Sequence, residues 1–140
     1  MTASRLLVTL LTALTTVLFP AMASATPGDG VTAEVLSQST VDGSDYITRR
    51  ITIAPGGSTG WHWHEGRVYG VIIDGTLTHV RSDCSLDGIY NAGDPITEES
   101  GPDHVHIGRN LGTTPLVMWV LYIDKAGSPL SDDAPDPGCV

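Results

Sequence analysis

Four of the five histidines in this chain fall into two matched pairs, His62 with His64 and His104 with His106. Residues two apart in an extended backbone project to one side, because side chains alternate faces with a period of two. Each pair can therefore aim two imidazoles at one point. Imidazole is the commonest side-chain metal ligand. Two pairs brought together by a β-fold would make a centre for a divalent transition metal, and zinc, iron, manganese, nickel and copper all suit neutral imidazole donors. One such pair in a strand is often only polar surface. The recurrence about forty residues downstream gives the pattern its weight.

The segments that must position these pairs read as β throughout. Extended stretches are expected at residues 31–40, 46–53, 68–73, 76–81, 95–99, 105–107 and 116–123, about eight short strands with the stretch Trp61 to His64. Turn chemistry separates them: a cluster at residues 41–45, Pro55-Gly56-Gly57, a loop over 82–88 and Ala92-Gly93-Asp94-Pro95. Asp74-Gly75 predicts a two-residue hairpin joining its flanking strands. No stretch after residue 25 sustains a helical period with caps at both ends. Many short strands with Gly, Pro and Asp turns imply a sandwich or barrel.

Residues 1–25 are expected to be a signal peptide. Arg5 gives a positive start, residues 6–19 are apolar apart from threonines, and Ala23-Ser24-Ala25 supplies small residues at a cleavage site. The apolar run is too short for a membrane anchor. The mature protein is then a single domain, residues 26–140, secreted to the extracellular side. Loss of Arg5 takes the formal net charge from −9 to −10. Basic residues are few and scattered, which argues against nucleic acid or an anionic membrane as partner.

Two cysteines, Cys84 and Cys139, are present. In an exported protein an even count reads as a disulfide. The loop it closes, about 55 residues, is worth about 4 kcal/mol in the chain-entropy model. The tail 126–140 is rich in Pro and Asp and has little apolar grip of its own. A bridge would staple it to the loop that carries Cys84. Metal ligation by the two thiols is the alternative.

The order of these features resembles the cupin family. Gly57, His62-Trp63-His64 and Gly75 look like its first motif. Gly93-Asp94-Pro95, Gly101 and His106 through Asn110 look like its second. The resemblance covers residues 54–120. It implies an all-β, cupin-type jelly roll, a double-stranded β-helix barrel that also manages its exposed strand edges. It implies one metal held by His62, His64 and His106. His106 fits because Asn110 stands four residues later. His104 keeps the family spacing from Gly101 and is the alternative ligand, or an outer group one strand step along the same face. The departure is Val68, which stands where the family has a glutamate. Glu65 should face away from His64, and Glu98 or Glu99 is the nearest source of a carboxylate.

Three functions follow from this resemblance. One is a metal-dependent enzyme acting on a small organic molecule, an oxygenase or an isomerase or lyase. Another is a non-catalytic cupin that binds a metal or small ligand. The last is a degenerate, metal-free cupin. A carboxylate reaching the barrel interior beside the histidines would favour catalysis. The resemblance also implies a homodimer. Among other residues, His79 is expected at the surface or packed in the barrel wall, Trp61 and Trp63 in core or rim packing, and Asn110 tying a loop. Tyr69 and Tyr90 could each bring a phenol near a barrel mouth. Arg109 is expected in a rim salt bridge.

Overall fold

The computed structural model describes residues 26–139; the expected signal peptide and Val140 lie outside the described residues. Ten strands run in chain order: β1 Asp29–Val41, β2 Ser44–Ser58, β3 His62–Trp63, β4 Arg67–Asp74, β5 Thr76–Arg81, β6 Leu86–Asn91, β7 Pro95–Glu98, β8 His106–Arg109, β9 Leu116–Lys125 and β10 Asp132–Asp133. Helical structure among the described residues is one 3-10 turn, Pro102–His104, and no helix there is long and apolar enough to cross a membrane.

The strands form two leaves of an antiparallel barrel. One leaf runs β1, β2, β9, β4, β7. The other runs β6, β5, β8, β3, β10, and β2 bridges to it at Ser58 and Arg109. This is the jelly-roll architecture expected from the sequence. β9 shows how the sequence builds it. Leu116, Met118, Val120, Tyr122 and Asp124 are buried, and the alternate residues face outward. Sandwiched between β2 and β4, β9 carries the centre of the core, with Ile47, Ile51, Ile53, Val68, Ile72, Leu77 and Ile96 packed around it. Trp61, Ile107 and Ala134 form a second cluster, with Trp63 and Cys139 against it.

The turn expected at residues 41–45 is present, whereas the one at Asp74-Gly75 corrects the sequence reading. Asp42 and Gly43, both at positive φ, make the two-residue hairpin between β1 and β2. Asp74-Gly75 does not make one. β4 pairs with β7 and β9, whereas β5 pairs with β6 and β8, so the chain changes leaf at Gly75. Gly75 has φ of 80°, and a Cβ there would meet Leu116 Cα and the Pro115 carbonyl at 2.9 Å. Residues 86–88, read as loop, belong to β6.

The tail is fixed at several places along its length. β10 pairs with β3, Asp132 opposite Trp63 and Asp133 opposite His62. The Ala134 amide donates to the Trp61 carbonyl at 2.8 Å. Cys139 is joined to Cys84, with the Cα atoms 5.4 Å apart.

Candidate metal centre

His62 and His106 face each other directly across the β3–β8 ladder. Opposed residues share a face with their Cβ atoms about 5 Å apart. Their rings lie 4.4 Å apart, and His64 adds a third ring 4.8 Å from His62 and 5.2 Å from His106. All three are buried. Each is turned by a backbone oxygen that accepts from its Nδ1: the Gly60 carbonyl for His62 at 2.9 Å, Leu130 for His64 at 2.6 Å and His104 for His106 at 2.8 Å. With each Nδ1 turned to a carbonyl, each Nε2 points into the cluster, the arrangement typical of metal-ligating histidine.

The carboxylate comes from Glu98, at the end of β7. Its Oε2 lies 3.0 Å from His64 Nε2 and 3.6 Å from His106 Nε2. One ligand atom from each of His62, His64, Glu98 and His106 falls within 4.8 Å of every other. Glu98 pairs with Val68 across the β4–β7 ladder. The strand next door thus delivers a carboxylate to the height where β4 carries valine. No spacing rule within one strand shows this, because β4 and β7 are separated by the whole β5–β6 hairpin. Glu65 and Glu99 are exposed and point elsewhere, Glu99 to Arg67 and Glu65 to Ser128.

The electrostatics suit a cation. Burial, and then the neighbouring His106 and His64, push the His62 imidazole down to about 3, so it stays neutral. Burial opposes the charge on Glu98, but the facing imidazoles of His106, His64 and His79 outweigh it and hold the carboxyl well below its usual range. Burial likewise opposes charge on His64, and Glu98 overrides it to raise His64. The Nε2 atoms of His64 and His106 are buried without a hydrogen-bond partner among the described residues. Buried polar atoms are rarely left so. Three imidazoles and one carboxylate fit a divalent transition metal.

His104 is not on the face of His106. Pro102 begins a 3-10 turn through His104, which breaks the alternation, and the His104 side chain is exposed. Its contribution to the centre is its backbone oxygen. His79, read as surface or wall, is buried and points inward beside Glu98. Asn110 is buried and ties its loop, donating to the Ile53 and Thr114 carbonyls and accepting from the Gly112 amide. Trp61 packs in the second core cluster. Tyr69 is exposed on the outer face of β4, and the Tyr90 phenol turns inward to Asp87. Arg109 forms no ion pair among the described residues.

A cleft of about 460 Å³ opens onto the centre beside Glu98 and His106. Arg81, Asp83, Asp87, Asp103 and His104 line its approach.

No curated relative matches the chain. Solved structures match its fold. The polyketide cyclase RemF from Streptomyces resistomycificus is 17% identical with a TM-score of 0.59, over 79% of this chain and 78% of that one. A cupin domain from Bordetella pertussis is 23% identical with a TM-score of 0.57, over 68% of this chain and 94% of that one. An oxalate oxidase in complex with glycolate is 22% identical with a TM-score of 0.56, over 69% of this chain and 51% of that one, so the match spans about half of the oxidase. The cupin domain family model matches residues 49–123, more than half the chain. Together with the barrel topology, that match places the chain in the cupin family.

Proposed function

We propose that this protein is a metal-dependent cupin acting on a small organic molecule, with His62, His64, Glu98 and His106 holding a divalent transition metal. The observation that carries the reading is Glu98, the carboxylate that reaches the barrel interior beside the three imidazoles. Bound there, the metal would supply a Lewis acid, or a redox centre where the ion is iron, copper or manganese. The chain's own residues do the rest. Neutral His62 and ionised Glu98 are ready to ligate without first losing a proton. Val68, Ile96 and Met118 form an apolar wall on the barrel side of the site. The cleft admits a molecule from the opposite side.

The structural neighbours include a polyketide cyclase and an oxalate oxidase, both named for reactions of small organic molecules. The cleft wall differs from what a dicarboxylate needs. Asp83 and Asp103 stand on it, and its one arginine, Arg81, is already paired with Asp87. An uncharged or cationic molecule suits that wall better.

Secretion belongs to the same reading, supported by the leader-like residues 1–25 and by the Cys84–Cys139 bridge. A homodimer is supported by Tyr69, Val71 and Trp119 on the outer face of β4 and β9. Elemental analysis of protein purified from its export route tests the central point. Stoichiometric metal in the wild type, absent from His62→Ala and Glu98→Gln, is expected. Metal-free wild type overturns the reading. Mass spectrometry of the same material should find Thr26 first, and a product retaining residues 1–25 overturns the secretion step.

A further inference from the structure

Glu98 presents two oxygens, and the imidazole cluster faces one of them. Oε1 looks the other way, toward His79 Nε2 at 3.4 Å. His79 lies outside the four residues whose donor atoms converge. Its ring is nonetheless 4.7 Å from that of His106, and its Nε2 is buried with no hydrogen-bond partner among the described residues. The far side of the ring is anchored. Nδ1 donates to Asp87 Oδ2 at 3.0 Å. Asp87 accepts the Tyr90 hydroxyl at 3.2 Å on that oxygen and the Arg81 guanidinium on the other.

The β5–β6 hairpin builds this arrangement. His79 stands opposite Gly88 in the ladder. A Cβ on Gly88 would meet the Tyr90 ring at 2.8 Å, so the missing side chain lets the phenol cross to Asp87. A buried imidazole, a carboxylate behind it and two groups holding that carboxylate form a rigid post aimed at Glu98.

We propose that His79 is the positioning residue for Glu98: it grips Oε1, directs Oε2 to the metal ligands, and is itself aimed by Asp87. The proposal rests on the metal-centre reading above. A carboxylate has two oxygens that can both turn to a cation, and a donor on one leaves the other to the ion. His79 faces a carboxylate on each ring nitrogen, Asp87 on Nδ1 and Glu98 on Nε2. The Nε2 to Oε1 distance of 3.4 Å is about 0.2 Å beyond the usual N–H···O range. The hairpin thus supplies the support that a carboxylate arriving from β7 requires.

The test titrates metal-free wild type, His79→Ala and His79→Gln with cobalt(II), and reads the ligand shell by X-ray absorption and the metal-free thermal midpoint alongside. His79→Ala should weaken binding about 10–100-fold, the range for groups behind a ligand, and turn a one-oxygen carboxylate into a two-oxygen one. His79→Gln, whose amide can donate to Oε1, should recover part of the loss. Unchanged affinity in His79→Ala overturns the proposal. So does an equal loss in both variants that tracks the metal-free midpoint, which marks a merely structural role. Four imidazoles in the wild-type shell also overturn it, because His79 would then be a ligand. If His79→Ala does not fold, Asp87→Asn carries the same comparison with a smaller expected loss. Wild type that binds no cobalt overturns the metal centre and this proposal together, whereas normal wild-type binding with unchanged His79→Ala overturns this proposal alone.

Discussion

Val68 and Glu98 are directly opposed in the β4–β7 ladder, so their side chains leave the sheet at one height and on one face. The carboxylate of this centre is therefore interchangeable between two strands. Glu98→Val should remove the metal, with a loss beyond the about 10–100-fold of outer groups. Adding Val68→Glu to that variant should restore binding. Metal titration of the single and double variants checks it, and a double variant as empty as the single would show that height alone does not make a ligand.

The tail holds His64 through the Leu130 carbonyl and holds β3 through β10. Cys139→Ser should lower stability by about 2–5 kcal/mol. It should also weaken metal binding about tenfold, because the oxygen that turns His64 becomes loose. Urea unfolding of metal-free protein and metal titration of the folded protein read the two effects separately. A stability loss with unchanged affinity would mean that Leu130 stays in place without the bridge.

Acid should destabilise the metal-free protein. His62 is pushed down to about 3 by burial and by its imidazole neighbours, while its unfolded counterpart titrates near 6.5. Between those values the unfolded chain takes up a proton that the fold refuses, so stability is lost as pH falls through that window. Glu98, held low by its imidazole donors against burial, acts in the same sense: its contribution is present above about 4.5 and lost as pH falls. His64 acts oppositely, since its raised value gives a contribution present below about 6.5 and lost as pH rises past it. His62→Gln should flatten the acid slope in unfolding midpoints measured across the window. The same slope in both proteins would remove His62 from the account.

Two glycines with nearly equal φ should respond differently to alanine. Gly43, at 79°, has nothing within 4 Å of a new Cβ. Gly43→Ala should cost about 1–2 kcal/mol, the conformational penalty alone. Gly75, at 80°, would press the new carbon on the Leu116 and Pro115 backbone. Gly75→Ala should cost about 3 kcal/mol or more. Denaturant midpoints decide it, and equal losses would show that the corner between the leaves yields.

These glycines also show what a sequence can and cannot carry. Asp42-Gly43 and Asp74-Gly75 are the same dipeptide, yet one closes a hairpin and the other sends the chain to the second leaf. Local turn chemistry is alike in both; which strands pair afterwards decides the outcome, and that depends on distant segments. His62 and His64 were legible because both lie in one short stretch and a fixed period aims them. His106 was legible through the resemblance to the second cupin motif, in which an asparagine stands four residues after the ligand, as Asn110 does here. Glu98 was legible only as one of two candidates with Glu99, and His79 not at all, because cross-strand register and a hairpin in another leaf bring them in. His104 misled the reading because Pro102 starts a tight turn where alternation was assumed.

The Leu130 carbonyl that turns His64 lies later in the chain than every imidazole and carboxylate of the centre. Synthesis therefore produces all four donor side chains before the group that aims one of them. A nascent chain ending between residues 106 and 130 has all four donors without the carbonyl that turns His64. The carbonyl that aims His64 therefore arrives with the last stretch of polypeptide, and the Cys84–Cys139 bridge fastens that stretch to the barrel only after the whole chain exists.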